Sequence, residues 1–457
     1  MSIPSLHTTR RTRPRLVAGV LIAALAALAA SCRDGAITNV QAPPSLDAQV
    51  RAQISRWNIT PILPLAPQNP ALVDLGRSLF FDKLLSGNRD VSCASCHQAN
   101  LALGDARSLA VGTHQQLSPR NAPSLFSVGL GMPYLFWDGR VSQLGPTSAP
   151  ILSPVGSALP SGVANLLAAQ AMLPVINRVE MRGQPGDHDA FGGANELAPP
   201  SDSSFAAIWA LVMHRITAVD EYARKLGVAY PGADVTRLGF EYAANAIAAF
   251  EVQTFTKFNS PFDRYLAQDD GALTAAQKQG ALLFFTKARC VTCHNGPFLG
   301  GQEFASVAVP QIGPGSGSAA PLDAGTGEPG IRGPFQTGKF VFRVAPLRNV
   351  ELTAPYMHDG AYPTLEAVVR HYNNVDSAVK SYDPSQLDPT LRSSYHGEAT
   401  TINALLASLD GRLRDPLGLT VDEQKQLVAF LKSLTDPAAR GLASVEPATV
   451  PSGLPVR

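Results

Sequence analysis

Charge is scarce in this 457-residue chain. Asp, Glu, Lys and Arg make up 16% of it, against ~25% in an average soluble protein. The 37 basic residues nearly cancel the 36 acidic ones, so no broad basic surface is available and nucleic acid is not the expected partner. With 45% of residues apolar, a disordered chain is excluded and a folded one is expected. Cysteine is rare too: five residues at this length cannot staple one small disulfide-dense module. Only six methionines occur, and none lies beyond Met357. Long apolar runs are missing apart from one near the N-terminus. By contrast, 38 Gly and 37 Pro are more than usual, so loops and turns should take much of the chain.

The single apolar run covers residues 16–30 and follows Arg10, Arg11, Arg13 and Arg15. It is too short for a comfortable membrane span but suits the apolar core of an export signal. It ends Leu28-Ala29-Ala30-Ser31-Cys32, which resembles the lipobox of bacterial lipoproteins, where the cysteine is acylated. Ordinary cleavage nearby is the alternative. A periplasmic protein, anchored through Cys32, is expected.

The other four cysteines fall in two identical frames, Cys93-Ala94-Ser95-Cys96-His97 and Cys290-Val291-Thr292-Cys293-His294. Each is C-x-x-C-H, the attachment pattern of c-type haem: two thiols about one helical turn apart add to the vinyl groups, and the next His reaches the iron. Zinc sites do not require a His after each second Cys, and a redox dithiol would not be expected twice with one. Two covalent haems are therefore expected, attached after export.

Ahead of the motifs stand Gly76-Arg77-Ser78-Leu79-Phe80-Phe81-Asp82-Lys83 and Gly280-Ala281-Leu282-Leu283-Phe284-Phe285-Thr286-Lys287, both G-x-x-L-F-F-x-K. This repeat predicts two copies of one haem-binding unit. Thr274 with Gln277, and Thr420 with Glu423, have capping-box spacing and should open helices. A third helix is expected over 236–256, and the Gly- and Pro-rich stretches 183–204 and 310–338 read as loops without regular elements. The fold class expected is mainly α, two cytochrome c-type haem domains with long irregular loops. The divisions are an export signal 1–31, a linker 32–70, a first haem domain 71–265, a second 266–440, and a tail 441–457.

Further segments carry a resemblance. Phe136-Trp137-Asp138-Gly139-Arg140, Pro119-Arg120-Asn121-Ala122-Pro123 and Leu352-Thr353-Ala354-Pro355-Tyr356-Met357-His358-Asp359-Gly360, with the two haem motifs, resemble the bacterial dihaem cytochrome c peroxidase and MauG superfamily over residues 75–434. The resemblance implies that the haem on Cys93, Cys96 and His97 reacts with peroxide. The haem on Cys290, Cys293 and His294 would pass or store electrons, with Trp137 between them. It implies a distal pair in Q-x3-P-x2-N-x2-E-M, here Gln170, Pro174, Asn177, Glu180 and Met181. Cleaving peroxide needs a base that takes a proton from one oxygen and returns it to the departing one; Glu180 would serve, with Gln170 beside it. A calcium ion is also implied, held by the Asn121 side chain and the carbonyls of Thr353 and Pro355, few protein ligands and several waters suiting this hard cation. The family often forms homodimers.

The axial ligands decide between subfamilies. The resemblance places His114 where the peroxidases carry a removable sixth ligand, a gate that MauG proteins lack. At the second haem the peroxidases use a Met, but the matching position is Tyr372, the MauG arrangement; His371 and Met357 compete with it. Three functions follow: a peroxidase reducing hydrogen peroxide with electrons from a cytochrome c or cupredoxin; a MauG-like oxidase modifying Trp or Tyr of a partner protein; and a non-catalytic dihaem electron carrier, against which Gln170 and Glu180 speak.

Overall fold

The repeated glycine explains how the two halves are built. Gly76 lies in helix Pro70–Phe81, where a Cβ would run into the carbonyl oxygen of Ala246 on helix Phe240–Phe255. Gly280 lies in helix Ala275–Phe285, where a Cβ would meet the carbonyl of Gln426 on helix Val421–Lys432. In each copy the missing side chain lets two helices cross backbone to backbone. The Leu-Phe-Phe that follows fills the crossing: Phe80 packs edge-on with Phe255 and Phe81 with Phe250, while Phe284 and Phe285, edge-on to each other, pack at a tilt on Phe430. Such pairs contribute ~0.5–1.5 kcal/mol each beyond the area they bury.

The computed structural model describes residues 43–128, 131–328 and 338–456. The export segment and Cys32 lie outside the described residues. Residues Leu46–Arg457 form one compact unit with two principal hydrophobic cores. One gathers round Phe80 and Phe250, the other round Phe284 and Phe430. Phe255 belongs to the first and Phe262 to the second, with Ser260 capping the short helix Pro261–Leu266 that carries Phe262. The chain is mostly helical. Among the described residues the strands form only two short antiparallel ribbons, Tyr134–Leu135 with Val141–Ser142 and Phe304–Ala305 with Phe342–Arg343.

Both predicted capping boxes form. The amide of Gln277 donates to Thr274 Oγ1 at 3.3 Å and that of Glu423 to Thr420 Oγ1 at 3.2 Å, while each Thr amide is held in return. The helix expected from 236 starts later, at Phe240, because Asp234 turns Val235–Arg237 into a separate 3-10 turn. Stretch 183–204 holds no helix or strand, as expected. Within 310–338 the described residues include one 3-10 turn, Gly317–Ala319, where none was expected; Glu328 accepts the amide of Ala319 at 3.2 Å.

The segments expected as linker and tail both pack against the cores. Residues expected to link the export signal to the first domain form helix Leu46–Arg56. Its Val50 is fully buried in the second core, and its Asp47 accepts from Tyr265 and Lys278, both at 2.9 Å. The final residues instead enter the first core through Leu442, Val450 and Leu454. Ser452 donates to the buried Asp82 at 2.7 Å. Each chain end thus closes the core farther from it in sequence.

Candidate active site and haem cavities

Each C-x-x-C-H motif lines a cavity. The first, of about 620 Å³, has Cys93, Cys96 and His97 in its wall. The second, of about 250 Å³, has Cys290, Cys293 and His294. Cys93–Cys96 is a single helical turn, capped where the Ser92 amide donates to Ser95 Oγ at 2.9 Å. Cys290–Thr292 is the corresponding 3-10 turn, entered through Arg289 in the left-handed region, φ 55°. The amide of His97 returns to the Cys93 carbonyl at 3.0 Å and that of His294 to Cys290 at 2.8 Å, which folds each ring against its two thiols.

The chemistry of these groups fits covalent haem. His97 Nδ1 donates to the Leu103 carbonyl at 3.0 Å and His294 Nδ1 to Leu299 at 3.1 Å. That places the proton on Nδ1, the tautomer in which Nε2 can ligate an iron, with the carbonyls of Pro123 and Ala345 also close to the two rings. Burial lowers both imidazole pKa values, His294 to about 4, so both stay neutral. Burial also pushes the thiols of Cys93, Cys96 and Cys290 up to about 12, the reverse of what a redox dithiol requires.

Gln170 and Glu180 both line the first cavity. Gln170 stands near the end of helix Leu166–Ala171, and Glu180 sits on the wide π-helical turn Arg178–Arg182. Asn177 builds that turn. Its Oδ1 accepts the amides of Val179 at 2.9 Å and Glu180 at 3.2 Å, and its Nδ2 donates to Glu180 Oε1 at 3.0 Å. One side chain thus shapes the backbone and aims the carboxyl. Burial raises the pKa of Glu180, with Arg140 and Arg120 pulling the other way.

Trp137 lines both cavities, together with Asn121, Pro123, Ser124, Val128 and Arg343. Its Nε1 donates to the Asn121 carbonyl at 2.9 Å, and the Asn121 amide donates to the carbonyl of His358 at 2.7 Å. The three motif segments are thereby tied together. Arg120 strengthens the tie with a two-pronged contact to Asp323, 2.6 and 2.9 Å, and a further bond to Asp138, itself paired with Arg140. Asp323 comes from stretch 310–338, so a buried ion network anchors that loop to the wall.

Tyr372 reaches the second cavity and His371 does not. On helix Leu365–Asn373 the residues Leu365, Val368, Val369 and Tyr372 share one helical face, and all four line the cavity. Tyr372 makes no side-chain hydrogen bond among the described residues, and burial together with Cys293 and Cys290 raises its hydroxyl pKa. His371 is 1% exposed and fully engaged: Nε2 donates to the Val307 carbonyl and Nδ1 accepts from the Tyr362 hydroxyl, both at 2.8 Å. Met357 also lines this cavity.

The other expected residues divide. His114 is not brought to the first cavity. Its side chain is half exposed, with Nδ1 3.4 Å from Asp187, while Asp90 accepts its amide at 2.9 Å. Asn121, Thr353 and Pro355 all line the second cavity. Asn121 Nδ2 is spent on the Arg107 carbonyl at 2.7 Å, whereas its Oδ1 and the Thr353 and Pro355 carbonyls accept no hydrogen bond among the described residues. Three oxygens are left for a hard cation.

Sequence reasoning gave no role to several buried cavity residues. His358 stacks on Phe342, ring centres 3.8 Å apart, with both ring nitrogens unpartnered. Glu251, 4% exposed, turns an unpartnered oxygen into the first cavity wall, and burial raises it to about 8. Arg343 is 7% exposed. A lone Arg in the apolar run Phe340-Val341-Phe342-Arg343-Val344 was the readable signal.

The chain is similar to known proteins. Residues 70–271 match the family model described as di-haem cytochrome c peroxidase. The chain is 33% identical over 306 residues to cytochrome c551 peroxidase of Pseudomonas aeruginosa, 66% of this chain and 71% of that protein. It is 29% identical over 361 residues to the methylamine utilization protein MauG of Methylorubrum extorquens, 79% and 85% of the two chains. The structure of a MauG-like protein associated with microbial copper homeostasis superposes with TM-score 0.56 at 27% identity, over 84% of this chain and 95% of that one.

Proposed function

The chain belongs to the di-haem cytochrome c peroxidase and MauG family, and from that membership we propose an enzyme that reduces hydrogen peroxide to two waters, consuming two electrons and two protons. It is an oxidoreductase acting on peroxide. The observation that carries the reading is the pairing of Gln170 and Glu180 in the cavity of the first C-x-x-C-H motif, since an electron carrier needs no acid-base pair there.

His97 and His294 would hold the two haems from one side, and the four thiols would bind them covalently. A haem in each cavity supplies the redox-active iron. Glu180, aimed by Asn177, takes a proton from one peroxide oxygen and hands it to the departing one; Gln170 orients the substrate. Trp137, in the wall common to both cavities, lies where electrons must pass between them. The Asn121, Thr353 and Pro355 oxygens would hold calcium at the same wall.

Electrons would come from a small redox protein, cytochrome c or cupredoxin, in the periplasm, with the chain anchored through Cys32. No described helix is long and apolar enough to cross a membrane. His114, paired with Asp187 away from the cavity, would have to swing inward to act as a sixth ligand. The MauG-like reading, oxidation of a partner protein, is favoured by one observation: Tyr372 presents an unpartnered hydroxyl to the second cavity while His371 is occupied. Burial keeps that hydroxyl protonated, but a metal cation reverses this preference.

The test is oxidation of reduced cytochrome c by peroxide with the haem-loaded protein. Glu180→Gln should lose ~10²–10⁴ in turnover with both haem spectra intact. Survival of turnover within a few-fold would refute the assignment.

A further inference from the structure

The wall between the cavities contains a cation for which the peroxidase reading has no use. Arg343 closes the strand Phe342–Arg343, 7% exposed, and lines both cavities. Two bonds fix it: its amide donates to the Trp137 carbonyl at 2.7 Å and its Nε to the Phe136 carbonyl at 2.8 Å. The terminal Nη1 is buried and meets no acceptor. A buried guanidinium nitrogen left this way is costly unless a bound group satisfies it.

The surrounding charges do not cancel it. Asp138 is the acid whose field reaches Arg343, yet Asp138 already pairs with Arg120 and Arg140, and Asp323 is spent on Arg120. Around the shared wall Arg120, Arg140 and Arg343 therefore stand against Asp138 and Asp323. Burial lowers the Arg343 pKa to about 10, opposed by Asp138, which still leaves the group charged at neutral pH.

We propose that Arg343 is a positioning residue common to both haem sites: its free Nη1 donates to an anionic haem substituent, and its fixed charge raises the reduction potentials of the two haems together. This rests on the dihaem reading above. One-electron reduction removes a unit of positive charge from either iron centre, so a nearby fixed cation favours the reduced form of each. A unit charge roughly 10 Å away at an effective dielectric near 20 shifts such an equilibrium on the order of tenfold. Tenfold corresponds to ~59 mV for one electron. Because one guanidinium serves both sites, the potentials move in concert.

The experiment is a spectroelectrochemical titration of the haem-loaded full chain, with haem counted per chain by the pyridine haemochrome. R343Q should lower both midpoint potentials by about tenfold in the reduction equilibrium, ~59 mV. R343K keeps the charge and should hold both near wild type. D138N removes the counter-charge and should raise both, and it decides the matter if R343Q does not fold. A shift confined to one haem, a fall in R343K as large as in R343Q, or potentials that D138N leaves unmoved or lowers would each overturn the proposal. Fewer than two haems in the wild type would instead sink the dihaem reading itself.

Discussion

Replacing Asn177 separates building the distal turn from doing chemistry there. In N177A two backbone amides lose their acceptor, Val179 at 2.9 Å and Glu180 at 3.2 Å, at the usual cost of ~0.5–2 kcal/mol for an N-cap. The bond from Nδ2 to Glu180 Oε1 at 3.0 Å is lost as well. Bonds to charged groups are worth ~1.5–3 kcal/mol, and the cavity-facing position argues for the lower end, so a loss of ~2–3.5 kcal/mol in stability is expected. The larger effect is on rate, because an acid-base group displaced by about 1 Å costs ~10²-fold. N177D keeps the cap but cannot donate, and it sets a second carboxylate beside Glu180. Burial already raises the Glu180 pKa, and a like charge raises it further. The base then remains protonated to higher pH, so the acidic limb of the turnover profile moves toward alkaline pH. Cytochrome c oxidation with peroxide across the pH range, alongside thermal melts, measures both effects. Destabilised N177A with turnover within twofold of wild type would refute the reasoning, because Asn177 would then be a cap and nothing more.

Two further outcomes are expected. Tyr372→Phe should alter the electron paramagnetic resonance signal of the second haem alone and raise its potential, since an anionic ligand favours oxidised iron, whereas His371→Ala should leave the ligand signal intact; the opposite pattern would transfer the role to His371. Asp323→Asn tests the loop anchor. Burial pushes the Asp323 carboxyl up, but Arg120 outweighs it and holds the group well below the ordinary carboxylate range. Its stabilisation is therefore complete above an unfolded value of ~3.9 and fades as pH falls below that toward the folded pKa. The variant should lose up to ~3–5 kcal/mol at neutral pH and show a shallower loss of melting temperature under acid, and a wild-type melt at pH 7 would count against the anchor.

What could be read from the chain and what could not divides along a physical line. Features fixed by covalent spacing were legible: two thiols and an imidazole within five residues carry their chemistry wherever the chain goes, and a capping box closes over four residues. The G-x-x-L-F-F-x-K repeat was legible as a pattern, but the reason for its glycine was not, since that depends on the carbonyls of Ala246 and Gln426, each more than 140 residues away. His371 and Tyr372 are neighbours in sequence and fall on different sides of one helix. The period Leu365, Val368, Val369, Tyr372 already marks the face that lines the cavity, with His371 off it. His114 shows the opposite case, because nothing local foretells that its side chain lies outside the cavity, beside Asp187 from a distant loop. The packing of the linker and the tail was not legible for the same reason: short pieces look like connectors until the partner surface is known, and here each partner is the core built from the other end of the chain. Arg343 combines both kinds of information. Its apolar neighbours mark it as buried, but only the folded wall, where its amide meets Trp137, its Nη1 is left unpartnered and the residue lines both cavities, makes it a candidate for shared control over two haems.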